Sequence, residues 1–75
     1  MQRYRDWDKD SGVQTYDIES DSIKIQFKDH SVYEYTYRSA GAHHVETMKR
    51  LAQAGDGLNS YINKYVRDKY SRKVR

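Results

Sequence analysis

The sequence predicts an α+β domain: a three-stranded antiparallel β-meander with two C-terminal α-helices packed on one face. Three observations carry this. Residues 13–37 hold three short stretches in which apolar and polar residues alternate, the period of a half-buried strand. Residues 39–66 instead repeat their apolar positions at helical spacing, and Gly55 and Gly57 divide them. The links between strands are two or three residues long, which favours antiparallel neighbours.

The elements follow in order. Residues 1–12 are expected to be an irregular, acidic arm, anchored by Trp7 and ended by Gly12. The first strand is Val13–Ile18, the second Ile23–Phe27 and the third Val32–Tyr37. Hairpin parity sets their register. A turn at Ser20-Asp21 puts Ile18 opposite Ile23, Tyr16 opposite Ile25 and Asp17 opposite Lys24. A loop at Lys28-Asp29-His30 puts Ile25 opposite Tyr33, Ile23 opposite Tyr35, Lys24 opposite Glu34 and Gln26 opposite Val32. Apolar residues then meet apolar ones and charges meet opposite charges; a slip of one residue breaks both matches. One face carries Tyr16, Ile18, Ile23, Ile25, Phe27, Tyr33 and Tyr35, with Tyr37 at its end. The other face is polar apart from Val13 and Val32.

Two helices are expected to cover the apolar face. Ser39 would cap the first, whose stripe is Val45, Met48, Leu51 and Ala52, and Gly55 would end it. Asp56 would cap the second, with Leu58, Ile62, Tyr65 and Val66 inward. Past Val66 the stripe passes to Lys69 and Lys73, so the helix should leave the core near residue 67.

The chain of 75 residues is long enough for one domain with a thin core. It has no cysteine, which removes disulfides and thiolate metal sites and suits a reducing cytoplasm. No apolar run approaches the roughly 20 residues that span a bilayer, and the start lacks a secretory apolar segment. A cytoplasmic protein with no membrane partner is the expectation. Charge is uneven. Residues 64–75 carry six Lys/Arg against one Asp, whereas residues 1–63 carry eight against ten Asp/Glu. A basic end attracts phosphates or acidic surfaces.

The repeat of Tyr33 and Tyr35 after a strand and a polar turn, then a helix, then "GLNSYINKYV" at residues 57–66, resembles the KTSC domain family. These small domains occur at the C-terminus of some lysyl-tRNA synthetases and as stand-alone bacterial or phage proteins. Matching positions are Tyr16-Asp17, Tyr33–Tyr35, Gly57, Asn59, Ile62 and Tyr65, over roughly residues 11–66. The family usually has glycine where this chain has His30. The resemblance implies a KTSC-like domain over 13–66, flanked by the arm 1–12 and a basic tail 67–75. It implies RNA binding as the expected activity.

The candidate nucleic-acid-binding residues are Lys64, Arg67, Lys69, Arg72, Lys73 and Arg75, with Arg3, Arg5 and Arg38 as possible extensions of the patch. On a helical wheel the six point all round, which favours non-specific backbone contact over sequence reading. A solubilising terminus is the competing reading of the same charges. The tyrosines of "YEYTY" could stack bases only on an open face, and parity turns them toward the core. Asp6–Asp17 follows a calcium-loop spacing in part, but position 6 is Ser11 rather than glycine and no helix follows. His43 and His44 diverge by about 100° on a helix and cannot readily share a metal, so no metal or cofactor is expected. No serine, histidine and acid are spaced for nucleophilic catalysis. The expected function is a small non-enzymatic accessory module binding RNA or other nucleic acid weakly by electrostatics. The alternative is a protein-interaction module using the open sheet face around Val13, Val32, Lys24 and Glu34, or an edge strand.

Overall fold

The computed structural model describes residues 1–7 and 12–75. Strands β1 (Gln2–Arg3), β2 (Val13–Glu19), β3 (Ser22–Phe27), β4 (Val32–Thr36) and β5 (Arg72–Lys73) form one antiparallel sheet in chain order. The central three are the expected meander in the expected register. Ile18 faces Ile23, Tyr16 faces Ile25 and Asp17 faces Lys24. Ile23 faces Tyr35, Ile25 faces Tyr33 and Lys24 faces Glu34. The sheet therefore has five strands rather than the expected three.

Both added strands come from segments expected to be irregular or helical. The arm is held by Tyr4, which is buried and whose hydroxyl accepts a 3.2 Å hydrogen bond from the Leu58 backbone N–H. Trp7 is not the anchor: its ring is 64% exposed, although its backbone N–H donates to the Gly55 carbonyl at 2.9 Å. At the other edge the chain turns after Val66 and lies along β4. The Ser71 N–H donates to the Glu34 carbonyl at 2.6 Å, and the Val74 N–H donates to the Val32 carbonyl at 2.7 Å. Tyr70 packs its ring 4.8 Å from that of Tyr33. This aromatic contact and the free β4 edge hold the basic tail in a strand, where continued helix would have carried Lys69 and Lys73 off the core.

One valine leaves the open face and another is buried on it. A bulge between Val13 and Thr15 sets two steps of β2 against one of β3, so Val13 pairs with Phe27 and joins the core. Val32, opposite Gln26, stays on the open face but is buried, and its backbone bonds to the C-terminal segment. The β3–β4 loop closes through His30 at φ +73°, the left-handed conformation that glycine adopts without a Cβ penalty.

The helical layer is α1 (Tyr37–Ala40), α2 (Ala42–Ala54), α3 (Leu58–Tyr61) and a π-helical turn, Ile62–Val66. Tyr37 therefore opens a helix instead of ending a strand. The cap is Thr36, not Ser39: Ser39 is the third helical residue and completes a capping box with Thr36 through reciprocal 3.0 Å bonds. Gly41, at φ +97°, then separates this turn from α2. Gly55 ends α2 in the left-handed conformation, as expected, and a Cβ there would lie 2.8 Å from the Cβ of Arg5. Gly57, not Asp56, occupies the cap of α3. Val45, Met48, Ala52, Leu58, Ile62 and Val66 cover Tyr16, Ile23, Ile25 and Tyr35 in one core. Lys49 fastens α2 to the β2–β3 turn by donating to the Ser20 carbonyl at 3.0 Å.

Tyr65 is the one expected stripe residue that the core excludes. Leu58, Ile62 and Val66 are buried at four-residue spacing. A π turn closes i→i+5 hydrogen bonds, so it takes more residues per turn than an α-helix. The buried stripe thus advances four residues at a time. Tyr61 and Tyr65, also four apart, form the stripe beside it, and Tyr65 is 45% exposed.

Candidate nucleic-acid interface

Backbone direction decides where the six candidate cations stand. Lys64 lies in the π turn and Arg67 directly after it; both are exposed. Lys69 follows in the turn, tied by its backbone N–H to the Val66 carbonyl at 2.8 Å. Arg72 and Lys73 form β5, and the Arg75 carbonyl accepts from the Val32 N–H at 3.1 Å. The tail is thus an ordered rim along one sheet edge, with every side chain from Arg67 to Arg75 exposed.

The six are not equivalent. Arg72 sits opposite Glu34 and its Nε donates to the carboxylate at 2.8 Å. It completes a row across four strands, Asp17, Lys24, Glu34 and Arg72, of alternating sign. Cross-strand neighbours of opposite charge stabilise the sheet and cancel its field. Lys73 projects to the other side, its Nζ 5.8 Å from the centre of the Tyr33 ring. Lys64 stands 5.3 Å over the Tyr65 ring. Among the described residues, Arg72 is the member of the six that is ion-paired.

The proposed extensions do not join this rim. Arg3 and Arg5 border hollows at the β1 edge, four strand steps from β5. At about 4.8 Å per step that is roughly 19 Å away. Lys28, also at the β1 side, is paired with Asp6 at 3.3 Å. Arg38 is exposed on α1.

The tyrosines of "YEYTY" divide three ways. Tyr35 is 2% exposed, and burial first, then Tyr33, Tyr70 and Asp68, push its phenol up to about 12. Tyr33 is half-buried between Phe27 and Tyr70. Tyr37 is at the surface, donating its hydroxyl to Glu46, and that bond raises the Tyr37 phenol above its usual value. None of the three lies on the open sheet face.

A second aromatic cluster lies on the helical layer. His44, in the first turn of α2, shares a 2.6 Å hydrogen bond between its Nδ1 and the Tyr61 hydroxyl. The His44 and Tyr65 rings are 5.8 Å apart and inclined by 28°, while Tyr61 and Tyr65 are 4.6 Å apart. His43 stands exposed beside His44, ring centres 5.5 Å apart. Lys64 is the cation of this group. The four-residue spacing of Tyr61 and Tyr65 is visible in the sequence; their meeting with His44 is not, because a wheel of 3.6 residues per turn puts Tyr65 in the buried stripe.

Among the described residues no three His, Asp or Glu side chains gather as metal ligands, and no helix is long and apolar enough to cross a membrane. The calcium-loop spacing of Asp6–Asp17 runs through residues 8–11, which lie outside the described residues. No family model, no curated protein and no solved structure matches the chain.

Proposed function

We propose that this is a small non-enzymatic, cytoplasmic module of KTSC type that binds RNA or other nucleic acid weakly, chiefly through the phosphate backbone. The observation that carries the reading is the ordered basic rim. Lys64, Arg67, Lys69 and Arg75 stand exposed and outside the ion pairs of the described residues, on a segment bonded to the sheet edge, while Lys73 also feels the Asp29 carboxylate. A pre-ordered row of cations meets phosphates without first losing chain entropy, and it releases counterions on binding.

The protein-partner reading is weaker. Val13 and Val32, the apolar residues it needs on the open face, are both buried, and the remaining charges pair across the strands.

Because the tail is part of the sheet, deleting it would confuse folding with binding. The test is therefore a quadruple variant, Lys64→Gln, Arg67→Gln, Lys69→Gln and Arg75→Gln, which keeps β5 intact. Labelled tRNA and random single-stranded RNA are titrated at several salt concentrations. The parent protein should bind with a steep salt slope, and the variant's slope should fall by roughly 0.7 for each lost single-strand phosphate contact. Absence of binding by the parent at low salt would refute the proposal.

A further inference from the structure

In the cluster of His44, Tyr61 and Tyr65, Tyr61 packs against the core and His44 is half-buried, while Tyr65 is exposed. The core beneath it is already closed by Leu58, Ile62 and Val66. In an unbroken α-helix Tyr65 would join that core; the π turn turns it outward instead, and such turns recur at functional sites. The result is a small aromatic shelf. Tyr65 is 45% exposed, and its plane lies 28° from that of His44. The 2.6 Å bond from His44 to the Tyr61 hydroxyl fixes two of the three rings relative to each other.

The surroundings select the ligand. Lys64 overlies Tyr65, Arg67 follows two residues on, and the first turn of α2 beside His44 contains no acidic residue. Proline-rich peptides also dock on tyrosine shelves, but they bring no anionic charge for these cations to meet. Unpaired nucleotides bring both a flat π-face and a phosphate. A duplex buries its base faces in the stack and cannot use the shelf.

We propose that His44, Tyr61 and Tyr65 form a stacking platform for one or two unpaired bases of single-stranded nucleic acid, whose phosphates meet Lys64 and Arg67. This deepens the backbone-binding reading and rests on it. The platform adds a preference for single strands that the charged rim alone does not supply.

The test uses the full chain and two variants, Tyr65→Ala and Tyr65→Phe, each checked for an unchanged far-ultraviolet circular dichroism spectrum. Labelled oligo-uridine, oligo-thymidine and an RNA duplex of equal length are titrated at fixed salt. Stacking is worth enough per base that Tyr65→Ala should weaken single-strand binding about tenfold, with the salt slope unchanged. Tyr65→Phe should restore it, and duplex binding should change less than twofold. Proton NMR should show upfield ring-current shifts for Tyr65 and His44 on adding either oligonucleotide. Equal single-strand affinity for Tyr65→Ala and the parent, while the glutamine variant is impaired, would overturn the platform and leave the charged rim standing. No binding by the parent would remove both. Shifts of these rings by a proline-rich peptide but not by oligonucleotides would reassign the shelf to a peptide.

Discussion

Tyr33, Tyr35 and Tyr37 recur every second residue; Tyr61 and Tyr65 are four residues apart. Tyr33 and Tyr35 are carried by a strand, where period two keeps side chains on one face, and that face is the one roofed by helices; Tyr37 already belongs to α1 and lies at the surface. The second is carried by a helical segment whose buried stripe also advances by four, so the tyrosines run beside the core rather than within it. One residue type thus serves opposite ends, and the backbone period decides which. Tyrosine suits both roles because its ring is apolar and its hydroxyl needs a partner.

The largest way to break this contrast is to truncate each stretch in turn. Tyr35→Ala should cost about 3–5 kcal/mol, comparable to the whole stability of so small a domain, and circular dichroism should show an unfolded chain at ambient temperature. Tyr65→Ala should cost no more than about 0.5 kcal/mol of unfolding free energy, read by urea titration. Similar losses at both sites would erase the distinction.

Alkaline titration sharpens it further. The Tyr35 phenol is raised from 10 to about 12 by burial, so the folded state favours the protonated form. The stability that this contributes is fully present below pH 10 and is lost as the pH rises through about 12. Denaturant midpoints measured across that range should fall, and Tyr35→Phe should flatten the fall.

Smaller effects test the frame that presents the strand repeat. His30→Gly should stabilise the domain by about 1 kcal/mol, read as a raised melting temperature, because it relieves a left-handed φ on a residue with a Cβ. Arg72→Ala removes an ion pair whose arginine is exposed and whose Glu34 is mostly covered, and should cost about 1 kcal/mol, less at high salt.

The two regions also differed in how far sequence could read them. The β2–β3–β4 register followed residue by residue, because it lines up Ile18, Ile23 and Tyr35 in one apolar row and Tyr16, Ile25 and Tyr33 in another, and a slip of one residue breaks both. The bulge that turns Val13 inward leaves no mark in the alternation. Strands β1 and β5 were illegible for another reason: "QR" and "RK" are two polar residues each, placed by what flanks them. Tyr4 draws β1 in, and Tyr70 with the Val32 and Glu34 backbones draws β5 in. Six cations were visible as charge, but the ion pair that occupies Arg72 required β5 to be known. The His44–Tyr61–Tyr65 shelf was hidden because a π turn changes the period that a helical wheel takes for granted.

The most direct measurement of the central claim is a nitrogen-15 and aromatic carbon-13 NMR titration of the full chain with single-stranded RNA. Shifts are expected at His44, Tyr61 and Tyr65 and along the rim from Lys64 to Arg75, with Tyr35 and the open-face row of Asp17, Lys24 and Glu34 undisturbed. Shifts centred on Lys24 and Glu34 with the helical shelf silent would contradict the claim.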